Sequence, residues 1–201
     1  MEIIWLGHAC FALESDGCRV VLDPYTMDTY PPLHTYANEV YCSHGHADHN
    51  NVAGVELTAV GKSPFTVETV ATFHDEQGGA LRGNNLMHIL RAEGMTVVHC
   101  GDLGHYPTEE QLAAISGADA LLIPVGGYYT IDAATAKRVA DAAHPRVVVP
   151  MHYRHGEFGL RPVGTVETFL EQYPQVHRLS TNRFTLTADA PSGVVVPRYL
   201  P

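Results

Sequence analysis

The chain has 201 residues, 45% of them hydrophobic and 17% charged, enough to bury a core without disulfide staples and unlike a disordered, collagen-like or coiled-coil chain. Twelve Lys and Arg stand against 22 Asp and Glu, a formal charge of −10. A nucleic-acid-binding face needs clustered cations, so nucleic acid is not an expected partner. No apolar run reaches the roughly 18 residues of a membrane span, and the opening residues lack the basic stretch and cleavage site of a signal peptide. The expectation is a single cytoplasmic domain over residues 1–201 with no membrane partner.

In chain order, the pattern predicts strands over Glu2–Leu6, Phe11–Glu14 and Arg19–Leu22, with Ser15-Asp16-Gly17 supplying turn chemistry between the last two. Cys10 and Cys18 flank this turn and could face each other across the hairpin. The four cysteines (with Cys42 and Cys100) show no CxxC spacing and read as reduced thiols, the last two as small core residues. Asp23-Pro24 ends the third strand. The stretch from Tyr25 to Tyr36, with Pro31-Pro32, is expected to be irregular. A brief strand, Glu39–Cys42, runs into Ser43-His44-Gly45-His46-Ala47-Asp48-His49. Thr66–Phe73 is a strand ending at His74, and Leu86–Ala92 with Met95–Cys100 forms a hairpin.

The rhythm then changes. Thr108 caps a helix with Gln111 as its capping-box partner. Ala120–Pro124 is a buried strand. Asp132 caps a helix whose apolar face is Ala136, Val139, Ala140 and Ala143. Arg146–Pro150 is a strand. Thr165 caps a third helix facing inward through Val166, Phe169, Leu170 and Tyr173. Val176–Leu179 and Arg183–Leu186 complete the sheets. The tail from Pro191 to Pro201 is extended, and its apolar stretch Val194–Leu200 could pack on a second copy, so the oligomeric state stays open, with a homo-oligomer as one option. Strands first, then alternating strand and helix, predict an α/β (α+β) sandwich of two mixed β-sheets with helices outside.

Thirteen histidines are scattered through the chain, and neutral imidazole is the commonest metal ligand. Four apolar strands end on candidate ligands: the first delivers His44, His46, Asp48 and His49, the others His74, Asp102 and His152. Sites form where loops leave a rigid frame of strand ends. His44 and His46, two apart on an extended segment, point the same way and suit one ion; Asp48 and His49 lie past a bend and reach a second. His8, Asp23, His105, Tyr128, Tyr129, Arg154 and His155 are further candidates, Asp23 as a carboxylate that orients a ligand imidazole. His34, His88, His99, His144 and His177 lack such context and read as structural or exposed.

The run Ser43–His49, followed by His74, Asp102 and His152 in order, resembles the metallo-β-lactamase superfamily. Trp5-Leu6-Gly7-His8-Ala9-Cys10-Phe11, Leu22-Asp23-Pro24, Gly101-Asp102, Ile123-Pro124-Val125-Gly126-Gly127 and Pro150-Met151-His152-Tyr153 look like small bacterial hydrolases related to the ascorbate-6-phosphate lactonases. The resemblance implies an αββα sandwich and a dinuclear site, one ion on His44, His46 and His74, the other on Asp48, His49 and His152, with Asp102 bridging. It implies Asp48, Asp102 and His8 as catalytic groups.

Imidazole and carboxylate donors suit two zinc ions, with Mn2+ and Fe2+ fitting the same set. Two divalent cations against two carboxylates leave the site positive, which favours a small anionic ester, lactone or phosphoester. A bound water of pKa about 7 would supply the hydroxide nucleophile. The alternatives are a phosphodiesterase or nuclease on the same fold, an iron-dependent redox enzyme, or a non-enzymatic metal binder. Specificity is expected from the loops Tyr25–Tyr36 and Gly78–Asn85.

Overall fold

The computed structural model describes residues 1–59, 61–189 and 192–201. In chain order the strands are β1 (Glu2–Gly7), β2 (Cys10–Ser15), β3 (Cys18–Leu22), β4 (Thr35–Ala37), β5 (Glu39–Tyr41), β6 (Val55–Leu57), β7 (Thr66–Phe73), β8 (Asn84–Ala92), β9 (Met95–His99), β10 (Ala120–Pro124), β11 (Val147–Met151), β12 (Val176–Arg178), β13 (Arg183–Thr185) and β14 (Gly193–Val196). The helices are α1 (Glu109–Ile115), α2 (Ala133–Ala143) and α3 (Glu167–Leu170). A five-stranded sheet runs β13-β1-β2-β3-β5, and a seven-stranded sheet runs β12-β14-β11-β10-β9-β8-β7. Both are mixed: β3 and β5 pair parallel beside antiparallel β1–β3, and β9, β10, β11 and β14 pair parallel beside antiparallel β7–β9.

Alternation explains the packing of the two sheets. Ile3, Trp5, Phe11, Leu13, Val20 and Leu22 of the smaller sheet join Met87, Ile89, Val98 and Leu122 of the larger in one core. The intervening residues Ile4, Ala12 and Val21 face the other way, and that face is covered by Tyr25, Tyr30, Ala37 and Val55. Strands β10 and β11 are buried throughout, as strands covered on both faces should be. The helices cover the larger sheet: α2 packs on β10, and α1 and α3 pack on α2. The outer face of the smaller sheet is covered by parts of the 25–57 segment, where the two-stranded ribbon of β4 and β6 and a 3₁₀ turn at Val52–Gly54 stand in place of α-helices.

Caps form where short side chains precede a helix. Thr108 and Gln111 make the reciprocal capping box, and Asp132 accepts from the Thr135 amide at 2.8 Å. Thr165 does not cap α3: the helix is four residues long, its N-cap is Val166, and no side chain bonds its first turn. Val166, Phe169 and Leu170 are buried nonetheless, so burial holds that turn without a cap.

Two further expectations are corrected. Thr35–Ala37 is not irregular but pairs with Val55–Leu57 as a separate two-stranded ribbon, because the prolines end at Pro32. Cys10 and Cys18 do not face each other. Cys10 pairs with Gly7 and Cys18 with Ser15, at opposite ends of β2, and they belong to different cores. Within Val194–Leu200, Val194–Val196 are buried between β11 and β12 and the Tyr199 ring lies 5.1 Å from that of Tyr30, while Leu200 is exposed. Pro191, where the extended tail was expected to begin, lies outside the described residues. Cys100 is buried and Cys42 half-buried.

Candidate metal centre

Parallel strands place their following residues side by side. Leu22 of β3 pairs with Tyr41 of β5, so Asp23 and Ser43 leave the sheet together. Asp23, in a left-handed conformation (φ +46°), accepts from the Ser43 amide and hydroxyl, both at 2.6 Å. This pair starts the histidine-rich loop at a fixed point. His99 of β9 pairs with Leu122 of β10, and Pro124 of β10 pairs with Met151 of β11. Asp102 and His152 therefore emerge from neighbouring strands of the other sheet. His74 follows β7 on that same sheet, and His8 sits in the β1–β2 turn.

The seven predicted ligands converge. His44, His46 and His74 hold ligand atoms within 4.8 Å of one another, as do His44, His49 and Asp102. Asp48, His49 and His152 form another such group, and His8 joins it. Asp102 lies between the two groups: Oδ2 is 3.1 Å from His74 Nε2 and 3.3 Å from His152 Nε2, and Oδ1 is 3.2 Å from His49 Nε2. His8 Nε2 is 3.5 Å from Asp48 Oδ2. His46 is exposed and His44 and Asp48 are half-buried, while His8, His49, His74, Asp102 and His152 are buried.

The donor atoms themselves test whether cations fit. Nε2 of His8, His44, His49 and His152, and Oδ1 of Asp102, are buried without a hydrogen-bond partner. Each such atom costs about 1–3 kcal/mol unless something satisfies it. They point at one another, and the set is imidazole and carboxylate, which suits divalent metals. The opposite ring nitrogen is anchored in two cases: His49 Nδ1 lies 2.8 Å from Asp23 Oδ2, and His44 Nδ1 lies 2.9 Å from Ser43 Oγ. Such anchoring fixes the tautomer that leaves Nε2 free. His74 and His152 have no hydrogen bond at Nδ1 among the described residues.

Burial and mutual charge shift the titratable groups of the cluster in opposite directions. Burial pushes the Asp102 carboxyl up, but His152 and His49 outweigh it and hold it well below the usual range. Burial pulls His49 down, yet Asp102 and Asp23 overcome this and raise it well above an ordinary imidazole. Burial, then His152, lowers His8 to about 4; burial, then His49, lowers His44 to about 4. Burial raises Asp23, but His49 and His99 take it to about 2.

Several supporting residues carried no sequence signal for this role. Asn85 Oδ1 accepts from the Asp102 amide at 2.9 Å, while its Nδ2 donates to Thr72 Oγ1 and the Cys100 carbonyl. His99 Nδ1 accepts from the Gly101 amide at 3.1 Å. The Asp75 carboxylate accepts from the amides of Gln77, Gly79, Leu81 and Arg82 at 2.8–3.0 Å. An Asp followed by Gly78-Gly79 and Gly83 was the available sign of such a loop.

Of the other candidates, Tyr129 lines the cleft beside the cluster. His155 instead packs between Trp5, Tyr30 and Phe158. His105 accepts from the Phe73 amide, and Arg154 donates to the Val163 carbonyl. Tyr128 is exposed. The two expected specificity loops reach the cleft through Thr26–Thr29 and Arg82, and Leu160 and Arg161 add a third wall.

Two mixed sheets with histidines and aspartates gathered at their strand ends define the metallo-β-lactamase class of fold. Residues 2–152 match the family model described as the Beta-lactamase superfamily domain, and the chain belongs to that superfamily. It is 29% identical over 188 residues (76% of this chain, 83% of the relative) to UPF0173 metal-dependent hydrolase Ta0764 of Thermoplasma acidophilum. A UPF0173 metal-dependent hydrolase of Carboxydothermus hydrogenoformans is 28% identical over 191 residues, covering 76% of this chain and 84% of its own. A crystal structure of a proposed zinc-dependent hydrolase of the metallo-β-lactamase superfamily from Thermotoga maritima superposes with a TM-score of 0.78 at 34% identity, covering 97% of both chains.

Proposed function

We propose that the protein is a metal-dependent hydrolase of small anionic esters, lactones or phosphoesters, with His44, His46 and His74 holding one divalent cation, Asp48, His49 and His152 a second, and Asp102 shared. The observation that carries this reading is the set of buried, partnerless Nε2 and carboxylate atoms directed at one another. The names of the relatives support it, and the Thermotoga maritima protein supports zinc. Two divalent cations would supply Lewis-acid activation of water and of the oxygen that gains charge.

The chain's own groups do the rest. Asp23 and Ser43 orient His49 and His44, and Asn85 holds the backbone of Asp102. His8 Nε2 and Asp48 Oδ2, 3.5 Å apart, form a pair able to hold or pass a proton at the edge of the cleft. The cleft, about 630 Å³, admits a small molecule.

The test is elemental analysis of the purified protein with turnover of a chromogenic panel containing a lactone, a carboxylic ester and bis(p-nitrophenyl) phosphate. We expect two metal equivalents, loss of turnover with chelator and recovery with Zn2+ or Mn2+. Preference for the phosphodiester would select the phosphodiesterase alternative. Hydrolysis indifferent to chelator, or a protein that takes up no metal, would sink the proposal.

A further inference from the structure

We propose that Arg82, assisted by Arg161, determines specificity by receiving an oxyanion group of the substrate away from the bond that is cleaved. This rests on the hydrolase reading above and names what its substrate carries. The cleft lined by His46, Asp48, His74 and Asp102 is also lined by Arg82, Tyr129 and Arg161. In this acidic chain Arg19, Arg91, Lys137, Arg146 and Arg178 each pair with a carboxylate. Among the described residues, Arg82 and Arg161 form no such ion pair, and of the cations without one they are the two that line the cleft.

Arg82 is also held in place. Its amide donates to Asp75 at 2.8 Å, Nη2 donates to the Tyr128 carbonyl at 3.3 Å, and its guanidinium carbon lies 5.6 Å from the Tyr129 ring centroid. These contacts spend one donor and leave the rest of the guanidinium fork free. A guanidinium matches carboxylate and phosphate through paired donors, and a preordered one loses less freedom on binding. Asp28 lines the same cleft but is exposed, so solvent and salt screen its repulsion. A substrate with one oxygen at the histidine cluster and an oxyanion at Arg82 would span the cleft.

Calorimetry on the metal-loaded full chain tests this without turnover. Acetate engages one end of the cleft; succinate, glutarate and adipate present a second carboxylate at increasing reach. At least one diacid should bind about tenfold or more tighter than acetate, and R82Q should erase most of that preference. Arg82→Lys should retain part of it, and Arg161→Gln, at an exposed position, should weaken it in the same direction. Comparing 3-phosphonopropionate with succinate distinguishes a phosphate-type tail from a carboxylate. No diacid preference in the native protein, or an equal preference in R82Q, overturns the inference. If R82Q loses the preference but the native protein hydrolyses nothing on the panel, Arg82 stands as an anion site and the hydrolase reading fails. Chelator-sensitive turnover with no diacid preference does the reverse.

Discussion

The amide of His152 donates to the carbonyl oxygen of His8 at 3.3 Å, and their imidazole centroids lie 4.1 Å apart. Both residues have left-handed backbones, with φ of +50° and +51°. The His8 turn is fixed twice more: its carbonyl accepts from Trp5 Nε1 at 3.0 Å, and its amide donates to the Tyr30 hydroxyl at 3.1 Å. A non-glycine residue with positive φ is costly unless its surroundings enforce it. Here the enforcement brings the His8 ring against the group of Asp48, His49 and His152. His8→Ala should therefore lower kcat by about 10²-fold or more, and steady-state kinetics at fixed metal loading would show it. Unchanged kcat would remove His8 from the machinery.

Asp102 lies between the His44–His46–His74 and Asp48–His49–His152 groups. Its replacement by Ala should abolish turnover and lower the metal content below that of the native protein, read by elemental analysis after dialysis. Full activity in that variant would refute a shared carboxylate.

Asp23 contacts His49 and Ser43 rather than the centre of the cluster. Replacing it with Ala should weaken metal affinity by about 10–100-fold, as loss of an orienting carboxylate does. Chelator competition measures this directly. Native affinity in the variant would reduce Asp23 to the cap of a turn.

Gly104 packs on the chain at His74. A Cβ there would lie 2.2 Å from the His74 carbonyl carbon and 2.3 Å from the Asp75 amide nitrogen, and backbone cannot yield as a flexible side chain can. Gly104→Ala should cost about 1–3 kcal/mol of stability and weaken metal binding together. Urea unfolding with and without chelator separates the two effects; a variant as stable as the native protein would show that the loop yields freely.

His88 is buried on β8 opposite His99. Burial, then His99, takes it from 6.5 to about 4. Below pH 6.5 the unfolded chain takes up this proton, and the folded chain does not until about pH 4. Stability is therefore complete above pH 6.5 and falls as the pH drops toward 4, by up to about 1.4 kcal/mol per pH unit from this group. In chelated protein, His88→Leu should flatten the dependence of the urea midpoint on pH across that window. An identical slope in both proteins would assign the acid sensitivity elsewhere.

Much of the architecture was legible because it is locally encoded. The apolar run in Glu2–Leu6, the buried runs Ala120–Pro124 and Val147–Pro150, and the caps at Thr108 and Asp132 each depend on a few neighbouring residues. The ends of α3 and the ribbon β4–β6 were not legible, since burial and distant pairing made them.

By itself the sequence determined which residue types stood at the strand ends: four candidate ligands within six residues at His44–His49, and His74, Asp102 and His152 each just beyond an apolar run. Side-chain chemistry and two-residue periodicity are local properties, so they survive being written in a line. Only the tertiary structure decided that His8 meets His152, that Asp23 lies behind His49, that Asn85 holds Asp102 and that Arg82 enters the cleft. Those meetings follow from strand register across two sheets, where a shift of one residue would turn every such side chain to the opposite face.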